Sequence, residues 1–284
     1  MIKNLIYFFQ AIFIYIFFLI ARVLGLKLGR ILFSFIFSTI GPFFKSKKII
    51  SNNLKNFNSK MDSSRKKEII SNMWKNYGMT FIEYIFLDHL RNSNSHVEII
   101  GLERILHLSS EKPLIFISGH FANFELMSME MTKKNIELAT IYRPLNNFFL
   151  NPFMEHLRKK YICKNQIKKG VSGVREAIKF IKNKHSIALM IDQRVSEGER
   201  IKLFNEEALT TTLPAQLAEK FHLSIIPVFI KRKKNDKFII EFQEELNSKN
   251  FKNKLEITIE LNKILERMIE KNPDQWIWTH NRWK

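Results

Sequence analysis

The stretch IFISGHFANFE, residues 115–125, runs three apolar residues and a serine into a glycine, then sets a histidine and a glutamate five positions apart. Inside one continuous helix, positions i and i+5 diverge by about 140° and do not readily pair. The spacing becomes sensible if PLIFIS (113–118) is a strand and a helix begins after Asn123, a residue suited to the N-cap. His120 then lies in the turn and Glu125 in the first helical turn. VEIIGLE (97–103), ELATIY (137–142), SIALMID (186–192), LSIIPVFI (223–230) and FIIEF (238–242) are further short apolar runs rich in β-branched residues. Helical stretches at 124–133, 174–182 and 214–220 lie between several of them, and another at 255–271 precedes the ending WIWTHNRWK. This alternation predicts an α/β fold with a largely parallel central sheet flanked by helices, whose ligands collect at the carboxyl ends of the strands.

Upstream, residues 5–21 (LIYFFQAIFIYIFFLIA) carry no formal charge and one polar side chain, Gln10. As a helix they measure roughly 26 Å, close to the thickness of a bilayer core. No small-x-small cleavage site precedes Arg22, so a retained N-terminal membrane helix is expected, with residues 1–22 as anchor and 23–284 as one catalytic domain. Arg22, Lys27, Arg30, Lys45, Lys47 and Lys48 follow the apolar run and Lys3 alone precedes it, which places the domain on the cytoplasmic face of the membrane as a single-pass protein. The run 31–44 is too short to span and ends at Gly41-Pro42; it reads as an interfacial or packed helix. From Ser63 to Leu90, Ile69, Ile70, Met73, Trp74, Tyr77, Phe81, Ile85 and Phe86 recur at mostly helical spacing behind Asp62 or Ser63 as N-cap, and are read as core.

The 284 residues suffice for a sizeable core. With 46 Lys and Arg against 27 Asp and Glu, a net charge of +19 favours polyanionic partners: nucleic acid, phospholipid headgroups, phosphorylated sugars or an acidic carrier protein. The absence of a recognition module and of basic-aromatic interleaving argues against nucleic acid. One cysteine, Cys163, excludes an internal disulfide framework and is read as structural. No metal is expected, because no third ligand joins His120 and Glu125 at HExxH spacing. His120 can serve as general base on a hydroxyl, with Glu125 on its other ring nitrogen to fix the tautomer and stabilise the imidazolium. The plainer alternative is a helix-capping carboxylate beside a histidine satisfied by backbone.

Four blocks in this order, GHFANFE (119–125), YRP (142–144), IDQ (191–193) and PDQWIWTHNRWK (273–284), resemble the lipid A late acyltransferases, the lauroyl and myristoyl transferases of Gram-negative outer-membrane synthesis. Ala122 stands where relatives commonly have Gly, and Phe124 where many have Trp. Within the wider group of His-x4-acid enzymes, whose glycerolipid-acyltransferase-like fold is the one expected, the terminal Glu matches glycerolipid acylation less well. The resemblance implies a His120–Glu125 catalytic dyad without cofactor. It would move an acyl chain from acyl carrier protein to a hydroxyl of a Kdo-bearing lipid A precursor at the cell inner membrane. Arg143, after ELATIY, can hold a phosphate or steady a developing oxyanion, or is a surface residue before a Pro turn. Asp192 and Gln193, ending SIALMID, can orient Arg143 or the substrate, with loop capping as the alternative for Gln193. Arg282 and His280 can close the site or fix the C-terminus.

Overall fold

The computed structural model describes residues 2–284. Its centre is an eight-stranded sheet in the order β1 (Val97–Ile100), β9 (Phe238–Phe242), β8 (Ser224–Arg232), β2 (Ile115–Ser118), β5 (Ser186–Met190), β3 (Leu138–Tyr142), β4 (Asn165–Lys168), with the short β10 (Leu246–Asn247) beside β8. Only the β8–β9 and β8–β10 pairings are antiparallel. Alternation along β2 divides its side chains between two layers: Ile115 and Ile117 pack in one core with Ile187, Leu189 and Ile225, while Phe116 packs in the other with Ala188, Ile226 and Val228. Burial on both faces is why these strands read as continuous apolar runs.

All six apolar runs of the sequence are strands, and the helices α6 (Glu125–Lys133), α8 (Val171–Lys182), α9 (Leu213–Phe221) and α10 (Lys254–Lys271) lie where the periodicity puts them. Other elements carry no clear sequence signal. Helices α2 (Lys47–Phe57) and α5 (Leu102–Glu111) bury few side chains; strand β4, Asn-Gln-Ile-Lys, is an edge strand that buries only Ile167; the hairpin β6 (Glu199–Leu203) and β7 (Glu206–Thr210) is charged at half of its positions; and α7 (Asn151–Tyr161) carries three cations in its last turn.

At the N-terminus, α1 (Ile2–Phe44) is two helical legs joined at Gly25, whose φ of 77° and ψ of 168° lie outside the helical region. A Cβ there would meet no atom within 4 Å, so glycine is required by the backbone conformation alone. The helix is long and apolar enough to cross a membrane, and few of its side chains are buried. Its second leg contains the 31–44 run, which packs Phe33 and Gly41 onto α3 (Ser63–Glu83) and leaves Phe35, Phe43 and Phe44 exposed. The segment is therefore packed on one side and unpartnered on the other. Asp62 caps α3 by accepting the Arg65 N–H at 2.8 Å.

Candidate active site

Parallel register builds the site. Ser118 of β2 sits opposite Met190 of β5, so the residues two positions beyond each strand end, His120 and Asp192, emerge side by side. The next strand in the sheet, β3, delivers Arg143 at the same edge. Asp192 is fully buried. Its Oδ1 lies 2.7 Å from His120 Nδ1, and its Oδ2 accepts the His120 backbone N–H at 2.7 Å and the Trp276 indole N–H at 2.8 Å. Gly119 permits this approach: a Cβ would stand 2.7 Å from the Phe121 ring and 3.2 Å from Asp192 Oδ2. Burial alone would push the Asp192 carboxyl up, but the facing His120 and the N–H donors outweigh it and hold the group below the ordinary carboxylate range.

The expected bond from Glu125 to His120 is not formed. Glu125 instead accepts from Arg158 Nε at 2.8 Å and from the Tyr84 hydroxyl, and is paired with Arg158 Nη2 at 2.8 Å. The reason is topological: Glu125 opens α6 and faces α7, whereas the strand register brings Asp192 to the imidazole. Asp192 in turn does not orient Arg143, which is exposed and has no ion-pair partner among the described residues. Asn123 is not the N-cap either; its amide donates to the buried Glu83 at 2.9 Å, and Phe124 occupies the cap position without a side-chain bond.

With Nδ1–H directed at a carboxylate, His120 keeps its Nε2 lone pair for a cavity of about 480 Å³. His120, Glu125, Arg143 and Gln193 all line it, as do Lys45, Arg158, Lys169 and His280. Gln193 Nε2 stands 3.5 Å from His120 Nε2, at the outer limit of a hydrogen bond. Phe124 meets the imidazole edge to face at 4.6 Å between ring centres. Among the lining cations only Arg158 has a carboxylate partner in the wall, and even so its Nη1 is buried without one. Burial lowers the Lys169 pKa, with Glu197 opposing and Arg143 assisting.

The C-terminal tail closes the site from behind. Phe121 bridges to Trp276, and Arg282, fully buried, donates to the Leu209 carbonyl and the Thr210 hydroxyl, fixing the terminus. His280 accepts the Arg194 backbone N–H at 2.9 Å and is pushed down to about 4, chiefly by burial. Cys163 is buried, and burial pushes its thiol up to about 11.

Behind the turn lies a network that sequence reasoning missed. Glu83, fully buried on α3, pairs with Arg30 at 2.6 Å and Arg232 at 2.5 Å while accepting from Asn123. Arg232 also reaches Asn76 and Thr80, whose side chains donate to the carbonyl of Ala122. Ala122 has φ +46°, a conformation that glycine adopts more readily, which gives the departure at this position a physical meaning. No local signal marks these partners; they are brought together from four separate elements.

A histidine backed by a buried carboxylate at the carboxyl edge of a parallel sheet, facing a cation-lined cavity, defines an α/β enzyme equipped for general-base chemistry. The family model of the bacterial lipid A biosynthesis acyltransferases matches residues 2–284, and the chain belongs to that family. It is 24% identical over 249 residues to the lipid A biosynthesis lauroyltransferase of Escherichia coli (strain K12), covering 84% of this chain and 78% of that relative. The crystal structure of the 1-acyl-sn-glycerophosphate acyltransferase from Thermotoga maritima is 17% identical, with a TM-score of 0.43 over 89% of this chain and 100% of that one. The protein is thus an acyltransferase of lipid A biosynthesis.

Proposed function

We propose that the protein transfers a fatty acyl chain from the thioester of acyl carrier protein to a hydroxyl of a Kdo-bearing lipid A precursor, with His120 as general base. The reading is carried by one observation: His120 Nδ1 is held by buried Asp192, so that Nε2 is left to a cavity lined by cations. The acceptor hydroxyl gives its proton to Nε2 as its oxygen attacks the thioester carbonyl. Asp192 stabilises the imidazolium so formed, and the proton passes to the departing thiolate when the tetrahedral intermediate collapses. Arg158 Nη1, buried without a partner, is the donor available to the developing oxyanion. Glu125 anchors Arg158 rather than the base. The reaction takes place at the cytoplasmic face of the inner membrane, with α1 as the anchor. The test is mass spectrometry of products after incubation with a panel of acyl carriers and a tetra-acylated Kdo-lipid A precursor. A single added acyl mass on the glycolipid is expected; transfer from no carrier, or only to a glycerolipid, would overturn the donor or the acceptor respectively.

Arg143 and Lys169 stand together at the cavity edge, Arg143 without a counter-ion among the described residues. They suit an acceptor phosphate. Arg143→Lys keeps the charge but loses the planar fork, and should raise KM for the phosphorylated acceptor about tenfold while changing kcat little. Steady-state kinetics with varied acceptor decide this; an unchanged KM would leave Arg143 a surface residue.

A further inference from the structure

We propose that the segment between β3 and α7, residues 143–150, is a second lipid-immersed element that lies beside the first leg of α1 and forms the bilayer-facing lip of the cavity. The proposal rests on the reading that α1 enters the bilayer. Its side chains argue first. From Pro144 to Leu150 there is no formal charge, and Leu145, Phe148 and Phe149 are 39%, 50% and 37% exposed, an unusual outlay of apolar surface for a loop in water.

Position argues second. The loop does not hang free of the apolar helix: Phe148 packs on Tyr7 and Phe149 on Phe8, with ring centres 6.2 and 5.4 Å apart, and Phe153 at the start of α7 meets Tyr15 at 5.5 Å. These contacts fall at residues 7, 8 and 15 of the run 5–21, so the apolar leg lies against the loop from near its start to past its middle. A bilayer that takes up this stretch of α1 therefore takes up the loop with it.

The backbone argues third. A loop in hydrocarbon has no water to satisfy its polar groups and must satisfy them internally. Asn147, itself only 8% exposed, accepts the Phe149 N–H on its side-chain oxygen at 3.0 Å and the Leu150 and Asn151 N–H groups on its carbonyl. Its amide donates to the carbonyl of Tyr7 at 2.8 Å. The Asn151 side chain accepts the Leu145 N–H at 2.8 Å, and the Tyr15 hydroxyl donates to the carbonyl of Phe149 at 3.1 Å. Two asparagines and one tyrosine thus pair the N–H groups of Leu145, Phe149 and Leu150 and the carbonyls of Asn147 and Phe149 without water, and two of these bonds run directly to α1.

The same segment reaches the chemistry. Arg143, Pro144, Leu145 and Asn146 line the cavity that holds His120. The lip therefore has an apolar outer edge in contact with lipid and a basic inner edge at the reaction site. An acceptor with several acyl chains can pass laterally from the bilayer to His120 without drawing those chains through water, its polar headgroup meeting Arg143 on the way.

The test uses the full chain in phospholipid vesicles. Phe148→Cys and, separately, Phe9→Cys are labelled with an environment-sensitive fluorophore and exposed to lipids bearing spin labels on the acyl chain; Cys163 is buried and stays unlabelled under native conditions. Comparable quenching at both positions is expected. Quenching at position 9 alone overturns the lip and leaves the anchor standing, whereas quenching at neither overturns the anchor itself. As an independent readout, the double variant Phe148→Asp/Phe149→Asp should raise KM for acceptor embedded in vesicles by about tenfold or more, the loss of two apolar contacts with lipid. Its kinetics on acceptor dispersed in detergent should be unchanged. An equal loss in both presentations would assign the effect to the packing of the domain and overturn the proposal.

Discussion

His120→Ala is expected to lower turnover by about 10²–10⁴-fold, the range for loss of a positioned general base, with the fold intact. Asp192→Asn should approach the same loss. The carboxylate accepts three N–H groups, from the His120 ring, the His120 backbone and Trp276. An amide offers one acceptor oxygen and presents N–H in place of the other, so the imidazole is driven toward the tautomer whose Nε2 carries the proton and can no longer accept one. In the proposed mechanism base and orienting carboxylate act as a unit, so the double variant His120→Ala/Asp192→Asn should be little worse than His120→Ala alone. Glu125→Gln acts through Arg158, so its loss should multiply with that of His120→Ala instead of merging with it. Single-turnover kinetics on the three single variants and the two double variants in the His120→Ala background separate the two carboxylates. A nearly normal Asp192→Asn enzyme, together with an Glu125→Gln loss that vanishes in the His120→Ala background, would transfer the orienting role to Glu125.

The exchange of Asp192 for Glu125 marks where sequence reading stops. The strands were legible because burial on both faces makes them continuous apolar runs, and so the strand–turn–helix setting of His120 was legible too. Local spacing, which is what a sequence displays, points to a partner for His120 five residues away. The register of two parallel strands, which no local pattern encodes, chose a residue 72 positions distant. Asp192 and Arg143 read as candidate site residues because they follow strand ends, yet their placement depends on the strand order β2–β5–β3, which puts Asp192 next to His120 and Arg143 one strand further out. Arg158 was invisible for another reason: in the run Leu157-Arg-Lys-Lys-Tyr161 it is one cation among three, and only folding buries it against Glu125.

The buried ion network ties the turn after β2 to α3 through Ala122 and Asn123, and Glu83→Gln should disclose its strength. Glu83 answers two guanidinium groups, Arg30 from the second leg of α1 and Arg232 from the end of β8, and both ion pairs are nearly or fully excluded from solvent. Breaking a buried pair by removing one partner costs about 3–5 kcal/mol, because a charge is left buried without compensation. Here two cations would be left. The glutamine can still accept from Asn123, so folded enzyme should keep an almost normal KM while the melting temperature in detergent falls sharply. Burial would push the Glu83 carboxyl up, but Arg232 and Arg30 outweigh it and hold its pKa below the ordinary glutamate value. Its contribution to stability is therefore complete above that ordinary value and is lost as pH falls through the depressed one, and Glu83→Gln should flatten this part of the acid unfolding profile. Arg30→Met added to Glu83→Gln removes one of the two stranded cations and should recover part of the lost stability. A melting temperature unchanged by Glu83→Gln, or lowered further by adding Arg30→Met, would mean that the network does not hold the turn by charge.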